Sequence, residues 1–232
     1  MNTMLRAELY KYMHLRINWL YVGVSILLSM VLAFGDQNLN NVQGIFKISL
    51  YNVPITLIIS YIFCAINFGQ EFKQLIISRE LATGIGRRQL VYCKYAGYII
   101  FAEVLNIVPV IINTMIGKFV FKYEGGLEGE NIIQLVLYLL LSASMCTISF
   151  MIAFVAQEIG KNLMMSLLFY FVSIYVLNSK YAMTVAHFLP IGQMRLLLMQ
   201  VPSRIEPIFV SVLIIVCSMA IIHRRFEPCE LK

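Results

Sequence analysis

Long uncharged apolar runs alternate along this chain with short polar or charged segments, and six of the runs are long enough to cross a bilayer. At 1.5 Å per residue, about 20 residues cover a hydrocarbon core of roughly 30 Å. The pattern predicts spans at approximately 17–35, 53–70, 95–117, 132–156, 162–179 and 207–222. The first run could be mistaken for a secretory leader ending at Ala33-Phe34-Gly35. It is longer than a leader's apolar region and five more spans follow, so it reads as a retained anchor.

The intervening segments predict the rest of the architecture. Residues 2–16 place Leu5, Leu9, Tyr12 and Met13 on one helical face with Arg6, Lys11 and Arg16 nearby. This reads either as an interfacial helix or as a plain basic leader before the first span. Residues 36–52 are rich in Asn and Gln and read as an external loop; 118–131 reads as an acidic external turn, and 157–161 as a short return turn. Residues 181–204 are apolar but broken around Pro190 into pieces too short to span. They predict a re-entrant pair of short helices between spans five and six.

The fold class is therefore an all-α polytopic membrane protein, a single transmembrane domain over residues 1–232. Composition agrees: 60% of residues are hydrophobic and 13% charged, against roughly a quarter charged in soluble domains, and mean hydropathy is +0.80. Lys and Arg are twice as frequent in the segments on the side of residues 71–94 as in the opposite ones, which predicts that this side, with both termini, is cytoplasmic. The net charge of +6 is spread over the ends of the spans rather than gathered in a basic patch, so no nucleic-acid partner is expected.

Few residues carry candidate chemistry. There is no P-loop, no Gly-x-Ser-x-Gly and no His-Glu-x-x-His, and the three histidines and five cysteines show no metal-ligand spacing; an enzyme, a metal site and a cofactor on this chain are not expected. Glu103 is the one ionisable residue well inside a predicted span. It reads either as a functional group or as a carboxylate hydrated or paired near the inner interface, two turns from Lys94. Asn67 and Asn106 are further intramembrane polar candidates. Asn106 and Asn113 flank Pro109, which removes a backbone donor, so polar side chains are expected to satisfy the freed carbonyls. Ser25, Ser29 and Ala33 form a small-residue stripe suited to close helix packing.

The densest charge lies between spans two and three, at Glu71, Lys73, Arg79, Glu80, Arg87, Arg88 and Lys94. An acidic residue as the helix leaves the membrane, a short amphipathic piece, a Gly-rich turn followed by Arg, and a Lys before the next span together resemble the coupling loop of type-2 ABC exporter permeases. The layout of six spans, an N-terminal interfacial helix and paired short helices extends the resemblance over nearly the whole chain. It implies that Glu71, Arg79, Glu80, Arg87, Arg88 and Lys94 couple to a separate ABC ATP-binding subunit carrying ATP and Mg. Relatives often have Ser before the Arg, where this chain has Gly86.

The resemblance further implies a second permease copy or related permease, contacts between them through the first and fifth spans, and a place in the bacterial plasma membrane. The expected activity is export of an amphiphilic peptide or antibiotic-like small molecule, connected with resistance or immunity. An ATP-independent secondary transporter and a non-transporting immunity or scaffold protein are the alternatives.

Overall fold

The computed structural model describes residues 2–35, 41–180, 182–199 and 205–226. Among these, every element is a helix. In chain order they are α1 (Asn2–His14), α2 (Arg16–Phe34), α3 (Val42–Tyr51), α4 (Val53–Lys73), α5 (Ile76–Ala82), α6 (Arg87–Phe119), α7 (Gly129–Ala156), α8 (Ile159–Leu177), α9 (Ala182–Ala186), α10 (Pro190–Leu198) and α11 (Ile205–Phe226). Six of them, α2, α4, α6, α7, α8 and α11, are long and apolar enough to cross a membrane. The chain is an all-α, multi-pass membrane protein.

The six long helices divide by burial. α4, α6 and α7 form the interior, while α2, α8 and α11 lie at the periphery with a third or less of their spanning residues buried. On α2 the inward residues are Asn18, Val22, Ser25, Ser29 and Ala33, and the outward ones include Leu20, Val24, Leu27 and Val31. Small and polar residues point in and large apolar ones point out, because lipid already solvates apolar side chains and close packing needs small ones. The small-residue stripe therefore packs within this chain, against α6, and is not available to a neighbouring copy.

Three elements depart from the sequence pattern. The predicted external loop contains α3, whose buried Val42, Ile45, Phe46, Ser49 and Leu50 make one helical stripe; Asn41 caps it by accepting from the Gly44 amide. Residues 36–40 of that loop lie outside the described residues. The predicted soluble stretch 71–94 is mostly helical: α4 runs through Lys73, and α6 begins at Arg87, eight residues before the expected span. At 33 residues α6 is about 50 Å long, well beyond a hydrocarbon core of roughly 30 Å. Finally, on α1 Leu5, Leu9 and Tyr12 are partly or fully buried while Met13 is exposed, and the same buried side also carries Glu8 and Lys11.

α6 continues through Pro109, and α2 supplies the missing partner. Proline at this position leaves the Leu105 carbonyl without its helical donor, and Ser25 Oγ donates to that oxygen. Asn113 Nδ2 donates to Ser29 Oγ at 2.9 Å and to Ser49 Oγ at 3.3 Å, linking α6 to α2 and α3. In the last third of the chain, α9 packs on α8 and α10 on α7 and α8. The two short helices fold sharply on each other because Gly192 sits against the Ala186 backbone, where any side chain would collide.

A buried charge junction beside an open cleft

The charged residues of the 71–94 stretch divide into an inner and an outer set. Lys94 is fully buried, and its ammonium is surrounded by carboxylates from three other helices. It donates to Glu8 Oε1 of α1 at 2.6 Å, and lies 3.0 Å from Glu71 Oε2 of α4 and 2.9 Å from Glu80 Oε2 of α5. Glu71 also pairs with Lys11 of α1. Of these contacts the one to Glu8 is a hydrogen bond, while Glu71 Oε2 and Glu80 Oε2 face the ammonium as ion pairs and accept no hydrogen bond among the described residues.

This geometry explains why four elements meet here. Each carboxylate gives up water on burial, a cost of several kcal/mol per ion that only close pairing offsets. Once α4, α5 and α6 each carry a charge inward, α1 is held to the same point through Glu8 and Lys11. Gly97 permits the approach, since a side chain there would press on Glu8 and Tyr12. Tyr12 is wholly buried beside the junction; burial first, then the nearby Glu71 and Glu8 carboxylates, raises its hydroxyl well above the ordinary tyrosine range.

Of the outer set, Arg79 is exposed on α5. Arg87 lies at the start of α6 and donates through Nη1 to the Phe226 carbonyl at 2.9 Å, capping the end of α11, where a cation is favoured. Arg88 is exposed on the first turn of α6.

Beside the junction lies a cleft of about 580 Å³ between the α4–α5 corner and the α7–α8 turn, lined among others by Phe72, Lys73, Leu75, Ser78, Gln157 and Glu158. Two of its wall residues, Leu75 and Gln157, adopt left-handed backbone conformations at φ 55° and 53°. Such conformations are costly for residues with a side chain and persist where the surroundings impose them. At the base of the cleft, α4 reaches the α7–α8 turn closely enough that a Cβ on Gly69 would lie 2.8 Å from Ile159 Cα. Glycine is required there by proximity.

The intramembrane candidates are held separately. Glu103 meets α7, where Ser142 Oγ lies 2.8 Å from both carboxylate oxygens and 3.0 Å from the Leu139 carbonyl. One hydroxyl hydrogen serves all three acceptors. Asn106 Oδ1 accepts from Thr56 at 3.1 Å and Ser60 at 3.4 Å, joining α6 to α4, whereas Asn67 bonds its own helix at the Phe63 carbonyl. Among the described residues no group of His, Cys, Asp or Glu side chains is arranged to hold a metal ion. Cys64, Cys93, Cys146 and Cys217 form no disulfide, and Cys229 lies outside the described residues.

Sequence reasoning missed Glu8, Lys11 and the Gln157–Ile159 wall. Glu8 was visible as the single acidic residue among the cations of the N-terminal helix; nothing in the sequence indicated the wall. Comparison with known proteins identifies no relative: no family model matches the chain, and no curated protein is significantly similar to it. Fold and site together define the class as an all-α, multi-pass membrane protein with a buried ionic junction at one end of its helix bundle.

Proposed function

We propose that the chain is the membrane-spanning permease subunit of an ABC exporter, moving an amphiphilic peptide or antibiotic-like molecule with ATP hydrolysed by a separate subunit. The observation that carries this reading is the junction under α5. A seven-residue helix stands between two spans, is tied through Glu80 to the buried Lys94, and borders an open cleft. Force applied to α5 or within the cleft passes directly into α1, α4 and α6 through charge-assisted bonds. In this reading that end of the bundle is cytoplasmic, the membrane is a bacterial plasma membrane, and a second permease completes the path. The outward apolar faces of α2 and α8 support such a pairing.

The test uses surface positions outside the junction. The chain is purified in mild detergent and compared with a Ser78→Arg, Arg79→Glu double variant. Co-purification of a P-loop ATPase with the parent and at least a tenfold reduction with the variant is the expected result. Absence of any ATPase from the parent under several mild conditions overturns the reading. Glu103, served by one shared hydroxyl, favours a second reading as an ATP-independent secondary transporter. Transport that persists without ATP and is abolished by Glu103→Gln selects that one.

A further inference from the structure

Far along the chain from the charge junction, Arg195 stands between two cavities. One, of about 210 Å³, has walls that include Tyr138, Tyr170, Ile191 and Met194. The other, of about 350 Å³, includes Ala186, Leu196 and Met199. Leu177, Asn178 and Arg195 line both, so the two cavities adjoin at these residues. The larger cavity alone is within the roughly 300–1,000 Å³ usual for small-molecule sites.

Arg195 is exposed at the mouth of both cavities and only loosely held by the chain. Its Nη1 contacts are the Leu177 carbonyl at 3.4 Å and Asn178 Oδ1 at 3.5 Å, both long. Among the described residues it has no carboxylate partner. The acidic residue opening α11, Glu206, instead bonds His187 at 2.9 Å. A guanidinium presents five donors in a planar fork matched to carboxylate and phosphate oxygens, and most of this one's stay open to water or to a partner outside the chain. The walls are rigid, because Tyr138 donates to the Met194 carbonyl at 2.6 Å and Gln193 to the His187 carbonyl at 2.9 Å.

We infer that this site binds an anionic amphiphile, a carboxylate or phosphate head on an alkyl chain, with the head on Arg195 and the chain in the adjoining apolar cavities. The assignment stands apart from the exporter reading, since binding to the purified chain needs no ATPase. A head without a chain would leave the apolar walls to water, and a chain without a charged head would leave the guanidinium as it is now.

The experiment uses the purified full-length chain in detergent and a fatty acid carrying a photoactivatable diazirine in its tail. Labelled residues are mapped by peptide mass spectrometry. Labelling is expected at the end of α8 and on α10, weakened at least tenfold by Arg195→Gln and retained in good part by Arg195→Lys. Leu198→Trp, which fills the smaller cavity but keeps the cation, is expected to reduce labelling as well; all three variants are checked for parental helicity and a monodisperse elution.

Competition separates the sources. Displacement by dodecyl phosphate but not phosphatidylglycerol identifies a free single-chain ligand, and displacement by phosphatidylglycerol identifies a bilayer lipid; both support the assignment. Equal displacement by phosphatidylcholine or octyl glucoside, undiminished labelling of folded Arg195→Gln, or displacement solely by a cationic peptide overturns it.

Discussion

Lys94 and Glu103 occupy one helix, nine residues or about 13 Å apart, yet they are buried in opposite ways. Lys94 lies where α1, α4 and α5 converge on α6, and each contributes a carboxylate within 3.0 Å. Glu103 lies against α7, and it receives part of one hydroxyl hydrogen from Ser142. A charge can be fully enclosed where several segments each bring a counter-charge. Where one helix faces another across lipid-like surroundings, the partner is whatever small polar residue the neighbour offers. The first arrangement ties four helices at one point; the second joins α6 to α7.

Removing Lys94 breaks the comparison most severely. Lys94→Met leaves the buried Glu8 and Glu71 carboxylates and the partly buried Glu80 facing one another, and a loss of about 3–5 kcal/mol is expected. Thermal unfolding of the detergent-solubilised protein measures it, and a change under about 1 kcal/mol would show that the junction is hydrated. A finer test removes single carboxylates. Glu71→Gln, which also strands Lys11, is expected to cost more than Glu80→Gln, whose side chain is 28% exposed, with both near 1–3 kcal/mol.

Neutral links on the same helix should matter less. Asn113→Ala, which removes the bonds to Ser29 and Ser49, is expected to cost about 1 kcal/mol, since hydrogen bonds between membrane helices average roughly 0.6 kcal/mol each. Glu103→Gln keeps an acceptor for Ser142 and should change stability by less than about 1 kcal/mol. A large loss would place Glu103 with Lys94 as a structural charge. The smallest effect has the opposite sign: Gln157→Gly relieves a left-handed conformation and should stabilise by up to about 1 kcal/mol, and any loss would mean that the Gln157 side chain supports the cleft.

The sequence reading handled the two kinds of burial unequally. Glu71, Glu80 and Lys94 stood out as charges between spans, but they read as members of one loop rather than as a buried cluster. Lys94 has α-helical neighbours on both sides and no solvent, because its contact with Glu8 joins residues 86 apart in the chain. The Ser25, Ser29 and Ala33 stripe was legible as a packing surface. That it faces α6 rather than a second copy depends on Ser25 answering the Leu105 carbonyl, a bond that no local pattern encodes. α3 was legible in principle through Val42, Ile45, Phe46, Ser49 and Leu50, but its Asn- and Gln-rich surroundings obscured the period.

By itself the sequence determined the number and approximate extent of the apolar helices. In hydrocarbon a backbone must satisfy its own hydrogen bonds, so any long uncharged run there is a helix whatever its neighbours. The tertiary structure decided which charges pair, which face of each helix turns inward and where the cavities open. Those outcomes depend on side chains distant in sequence meeting at one point. Because apolar surface is exposed to lipid at little cost, the spans need no polar outward stripe, and the sequence carries no such stripe from which to read their orientation.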